Sequence, residues 1–185
     1  NQLGLFGNPL PDMSKYPLFG SQTFKNIAKQ AALESITLLK NDAQILPLKN
    51  SQRILVAGPG AASLNMLNGA WTHTWQGLDT SFNTKGVLNI YQALRQQMPY
   101  SVISCAKGVE LFLENDFEAS RFVDINNYKK ALKKNDVIVI CVGELPSTEK
   151  PGDIHSLQLD DKQKELVRLA KAAKKKVVLV LLEAR

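Results

Sequence analysis

Three carboxylates, Glu144, Glu149 and Asp153, fall in the stretch GELPSTEKPGD (143–153), directly after the apolar run VIVICV (137–142). A carboxyl group fixed at the end of a buried strand can act as a general acid or base. Three of them among two prolines and two glycines can equally form a solvated turn, and composition favours neither reading. Glu144 follows the strand directly, so its backbone is expected to be fixed. Glu149 lies mid-loop between Thr148 and Lys150, ahead of Pro151-Gly152, where the chain can project it outward. Asp153 is placed to cap or brace the loop.

A second candidate is NGAWTHTWQGLDT (68–80), which sets Trp71 and Trp75 among Asn, Thr, His and Gln with no continuing helical period. Indole faces on a polar loop suit the apolar faces of sugar rings, and the amides and hydroxyls around them suit ring hydroxyls. Loop aromatics can also anchor a loop to its own domain, and we expect one tryptophan in each role. GPGAAS (58–63) follows a strand but lacks both the GxGxxG spacing and the lysine of a phosphate-binding loop, so it reads as a tight turn. His73 and His155 have no sequence partner that marks a base or a ligand. Cys105 and Cys141 sit in apolar runs with no CxxC spacing, which fits small core residues and no metal site.

The elements that must position these residues alternate. Apolar runs at 53–58, 100–106, 136–143 and 176–183 read as strands. Helical patterns at 85–98, 124–134 and 160–174 lie between them. Continuous apolar strands separated by helices predict an α/β fold with a parallel sheet covered on both faces. In such sheets function collects beyond the carboxyl ends of the strands, where loops 58–84, 107–123 and 143–159 emerge. Asp160 with Gln163 predicts a capping box on the last helix. Upstream, 23–42 reads as a helix capped by Thr23, with Phe24, Ile27, Ala28, Ala31, Leu38 and Leu39 on one face. Residues 1–22 carry Gly and Pro but also Leu5, Phe6, Leu18 and Phe19, as an extended arm that packs on something would.

The chain has 185 residues, 44% hydrophobic and 22% charged, the composition of an ordinary globular domain. Its net charge of +6 comes largely from lysines on predicted helix faces and ends, such as 129–134 and 171–176, without interleaved aromatics that could stack bases. Nucleic acid is therefore not an expected partner. Neither is a membrane, since no run approaches the ~18 apolar residues a span needs. Beginning without methionine and ending directly after a strand, the chain is expected to be part of a longer protein.

Taken in order, these motifs resemble the second domain of family 3 glycoside hydrolases, the β-glucosidase and exo-glucanase group. GLFGNPLPD is similar to the family's link from a preceding (β/α)8 barrel, and AALESITLLKNDAQILPL to its first helix and following turn. ILVAGPGA, GAWTHTWQG and VGELPSTEKPGD…LQLDDKQKELV match its strand, tryptophan loop and acidic loop. The resemblance implies a three-layer α/β/α sandwich over 23–185, lacking its last helix and strand, with 1–22 as the arm from the absent barrel. It implies a retaining enzyme acting on terminal β-D-glycosyl residues of β-linked oligosaccharides or glycosides, in the periplasm or secreted, with no cofactor and no metal. The barrel would supply the nucleophile and this domain the acid/base, carried onto Glu149 with Glu144 as its rival. Trp75 would clamp the leaving-group sugar, Trp71 would serve mainly the fold, and Asp153 would lie at the substrate site. The isolated chain would be inactive. The chain departs from the family pattern at Gly69-Ala70, where a double glycine is usual, and at Ala184-Arg185, where the family runs into Gly-Arg-Pro. The alternatives are a flavodoxin-like binding module without catalysis and a carbohydrate-binding module that does not hydrolyse.

Overall fold

In the computed structural model, which describes residues 2–7 and 9–183, the chain falls into two units, Asn1–Ala43 and Gln44–Arg185. Among its described residues the first holds a 3-10 turn at Met13–Lys15 and one α-helix, α1 (Gln22–Ser35). Its N-cap is Ser21, whose hydroxyl accepts from the Phe24 amide at 3.4 Å, and not the expected Thr23. The helix also stops well short of Leu38 and Leu39. Ile36 turns to extended backbone at ψ 119°, and two consecutive β-branched residues, Ile36 and Thr37, are poor at continuing a helix. Ala184 and Arg185, which carry one departure from the family pattern, lie outside the described residues.

The second unit runs β1 (Arg53–Ala57), α2 (Ile90–Gln97), β2 (Val102–Ala106), β3 (Gly108–Glu114), β4 (Phe117–Val123), α3 (Ile125–Lys134), β5 (Val137–Gly143), α4 (Asp161–Ala172) and β6 (Lys176–Leu182). The four apolar strands form one parallel sheet in the order β2-β1-β5-β6, with Ile54 beside Ile103 on one side and Val137 on the other. Strand side chains alternate between faces, and at the central strands β1 and β5 both faces are buried. Leu55, Ala57, Ile138, Ile140 and Val142 pack with Tyr128, Leu132, Leu166 and Ala170 of α3 and α4. Ile54, Val56, Val139 and Cys141 pack on the other face with Met98 and the apolar side of α2. The result is the three-layer α/β/α sandwich that the alternation implied.

Two expected elements differ. Helix α2 begins at Ile90 instead of residue 85, because Asn89 and Gln92 form a reciprocal capping box there. Segment 107–123 is an antiparallel hairpin, not a loop: Asn115 and Asp116, at φ 51° and 67°, make the two-residue left-handed turn that suits a hairpin. Its register pairs Glu110 with Arg121, and their side chains form an ion pair at 2.8 Å.

Asp160 caps α4 as expected, accepting from the Lys162 and Gln163 amides. Gln163 does not complete the box. It is buried and bonds Gly143, the last residue of β5. The sheet edge it supports is where the acidic loop begins.

Candidate active site

The chain runs from β1 out to β2 on one side, then crosses back to β5 on the other. Loops leaving the carboxyl ends of β1 and β5 therefore part in opposite directions, and the crevice between such loops is where α/β sheets bind ligands. The tryptophan loop follows β1 and the acidic loop follows β5.

The tryptophan loop closes on itself. Trp71 N donates to Trp75 O at 2.9 Å, Thr72 N to Gly69 O at 3.2 Å and Gly77 N to Thr74 O at 3.2 Å. Asn68 Nδ2 donates to Gly77 O at 3.1 Å. Gly77, at φ +74°, passes so close to Gly69 that a Cβ would lie 2.2 Å from the Gly69 carbonyl oxygen. Trp71 and His73 take positive φ of 62° and 57°, a conformation uncommon for such side chains. The closed loop presents both indoles outward, Trp71 65% exposed and Trp75 46%. Trp71, expected to serve the fold, is thus the more exposed, and its described tie to the loop is through its backbone. His73 stacks on Phe82 with ring centroids 5.9 Å apart.

The acidic loop is fixed where it leaves the sheet. Gly143, at φ +151°, is packed so tightly on β6 that a Cβ would stand 1.8 Å from Leu182 O. Glu144 N donates to that same oxygen at 2.9 Å, leaving the Glu144 side chain half-buried at the strand end. Leu145 N donates to Glu118 Oε2 of the hairpin at 2.6 Å. Glu149 is exposed, with φ 54° and ψ −147°, next to a region populated almost only by glycine. A short 3-10 turn, Lys150–Gly152, follows it: Gly152 N donates to Glu149 O at 2.8 Å and Asp153 N to Lys150 O at 3.0 Å. Asp153 is exposed at the end of this turn.

Gln76 joins the two loops. Gln76, next to Trp75, bonds both backbone groups of Thr148, next to Glu149: Oε1 accepts from Thr148 N at 2.9 Å and Nε2 donates to Thr148 O at 3.2 Å. In the sequence, Gln76 reads as one more amide for a sugar hydroxyl, yet it is engaged by the neighbouring loop. Nothing in its local pattern signals this, because the pairing needs two strands' loops brought together. The Glu118 and Gln163 contacts escape the sequence for the same reason.

Elsewhere a cleft of about 500 Å³ opens over the strand ends, lined by Ser63, Asn65, Thr80, Asn89, Lys107 and Glu110 among others. Neither tryptophan nor Glu144, Glu149 or Asp153 lines it. Burial pushes the Cys141 thiol up to about 12 and raises Cys105 as well, as befits unpaired core thiols. GPGAAS is a turn, with Ala61 N donating to Gly58 O at 3.2 Å and no α-helix directly after it. Among the described residues, no group of three or more His, Cys, Asp or Glu side chains could hold a metal ion, and no helix is long and apolar enough to cross a membrane.

Comparison with known proteins agrees with this architecture. The model of the glycosyl hydrolase family 3 C-terminal domain matches residues 36–185. A lysosomal beta glucosidase of Dictyostelium discoideum is 32% identical over 99% of this chain and 22% of its own length. A periplasmic beta-glucosidase of Salmonella typhimurium is 30% identical over 89% of this chain and 23% of its own. The crystal structure of a beta-glucosidase from Listeria innocua in complex with gluconolactone superposes with a TM-score of 0.69 at 26% identity, covering 97% of this chain and 23% of that one. The chain spans about a fifth of the length of the relatives it matches.

Proposed function

Since the chain belongs to glycosyl hydrolase family 3, as its C-terminal domain, we propose that it is the second domain of a retaining β-glycosidase releasing terminal β-D-glycosyl residues. The observation that supports this best is the tie between Gln76 and Thr148, which joins the loop of Trp75 to the loop of Glu149. Sugar-stacking surface and proton donor are thereby presented together.

Retention needs two carboxyl groups about 5–5.5 Å apart, one attacking the anomeric carbon and one protonating the leaving oxygen. Glu149 is the acid, and later the base that activates water. The nucleophile comes from a (β/α)8 barrel preceding the arm at 1–22. Trp75 holds the leaving-group sugar, and Asp153 braces the loop beside it. The substrates are β-linked oligosaccharides or glycosides, and the chemistry needs neither metal nor cofactor. The compartment is the periplasm or the exterior, a reading supported by the periplasmic name of the Salmonella relative.

The test compares the full-length protein with the 185-residue chain on an aryl β-glucoside, following the first-formed sugar anomer by NMR. The expected result is β-glucose first from the full-length protein and no hydrolysis by the chain alone. Release of the α anomer would remove the retaining mechanism. Sugar binding without hydrolysis by the full-length protein would make it a binding module.

A further inference from the structure

Glu149 holds a backbone conformation that an L-residue keeps only when its surroundings impose it. On its carboxyl side the imposing contact is the 3-10 turn, with Gly152 N donating to Glu149 O at 2.8 Å. On its amino side it is Gln76, from a loop seventy-two positions away. One amide that both donates to and accepts from the same residue fixes the rotation of that residue's two peptide planes, which a single hydrogen bond leaves free. The second of those planes is the Thr148–Glu149 peptide itself. Gln76 is half-buried and directly follows exposed Trp75.

We propose that Gln76 is a positioning residue that aims the Glu149 carboxyl group, acting through Thr148 and never touching substrate. The proposal rests on Glu149 being the acid/base. It assigns to the amide of the WQG stretch a role in proton transfer that a mere brace between loops would not have. A brace would affect every substrate alike. An aiming residue matters only where a proton must reach the leaving oxygen.

The experiment uses the full-length protein and two substrates, an alkyl β-glucoside, whose leaving group needs protonation, and 2,4-dinitrophenyl β-glucoside, whose leaving group does not. Gln76→Met keeps the length of the side chain and removes both bonds. We expect it to lower kcat/KM on the alkyl glucoside about 10–100-fold, the scale of a misplaced catalytic group. Formation of the glycosyl-enzyme from the dinitrophenyl glucoside should change less than about twofold. In a Glu149→Gln background, Gln76→Met should add less than about twofold, because residues acting as one unit are not additive. Gln76→Glu keeps the acceptor for Thr148 N but loses the donor to Thr148 O; it should give a smaller loss of the same selectivity and serves if the methionine variant does not fold. An equal loss on both substrates, or a full multiplicative loss on top of Glu149→Gln, overturns the proposal. If Glu149→Gln is selective and both Gln76 variants behave as wild type, Gln76 alone is misassigned. If Glu149→Gln spares the alkyl glucoside, the acid assignment fails and the proposal fails with it.

Discussion

Gln163 grips Gly143 at both of its backbone groups: its Oε1 accepts from Gly143 N at 3.0 Å and its Nε2 donates to Gly143 O at 2.9 Å. Gln163 is 1% exposed, so these bonds form where water cannot replace them. Buried groups left without partners are costly. Gln163→Leu keeps the bulk and strands both groups of Gly143, and should lower unfolding free energy by about 2–4 kcal/mol. Urea denaturation of the domain measures this. A change within the error of the midpoint would mean the pair adds nothing to the fold.

Gly143 itself should not accept a side chain. An alanine Cβ would lie 1.8 Å from Leu182 O, and that oxygen also receives the Glu144 amide. Gly143→Ala must therefore push β5 and β6 apart at their carboxyl ends. The cost should exceed the ~1–3 kcal/mol of backbone strain alone. Hydrogen exchange at the Glu144 amide should accelerate more than exchange at the centre of β5, which tells local opening from global loss.

The contrast between these two residues shows what could be read in the chain and what could not. The VIVICV run predicts β5 because a strand buried on both faces must be apolar throughout. The period of α4 and its Asp160 cap are equally local. Gln163 follows the same local grammar and suggests a capping box, but a buried strand end offers its amide two partners at once, and that contact wins. The hairpin at 108–123 escapes because its half-exposed strands mix Glu, Ser, Arg and Phe, although Asn115-Asp116 is a turn signal within it. At the site, sequence motifs single out Trp75 and Glu149 separately. Gln76, which joins their loops, is visible only once β1 and β5 are neighbours.

Arg53 and Asp136 pair the amino ends of β1 and β5 in a two-pronged contact, at 2.7 and 3.0 Å. Arg53 holds the Asp136 carboxyl below its ordinary range through hydrogen bonding and charge. A lowered carboxyl adds stability above its unfolded pKa of about 3.9, and that stability is lost as pH falls through the lower folded value. Asp136→Asn should thus be less stable than wild type at neutral pH and converge with it in acid below that point. Both side chains are exposed, so the difference should be small and should shrink in high salt. Denaturation midpoints from pH 7 down to 3 would show it, and a gap that widens in acid would contradict the sign.

The tryptophans should separate by ligand, not by fold. With both indoles exposed, neither alanine variant should approach the ~3–5 kcal/mol that loss of a buried aromatic costs. In the full-length protein Trp75→Ala should weaken binding of the leaving-group sugar about three- to tenfold, since ring stacking is worth about 0.5–1.5 kcal/mol. Trp71→Ala should do less. Inhibition by a disaccharide product compared with glucose isolates that subsite. Equal melting losses in both variants with unchanged inhibition would remove the sugar-clamp reading.

Glu144 and Glu149 remain the two carboxyl groups to be told apart, and their settings differ in kind. Glu144 is half-buried, its backbone locked to Leu182 at the strand end. Glu149 is exposed on a strained turn. If the proposed function holds, the acid must reach a sugar held by another domain, and the second setting fits that. Glu149→Gln should keep the fold and lose proton transfer, worth about 10²–10⁴-fold in rate on poor leaving groups. With an activated phenol as leaving group the glycosyl-enzyme should still form, then wait for a base to activate water. Azide attacks without a base, so it should restore turnover and yield a β-glycosyl azide. Glu144→Gln, run beside it, should show neither the selective loss nor the rescue. If azide rescues Glu144→Gln while Glu149→Gln behaves as wild type, the strand-end glutamate is the acid.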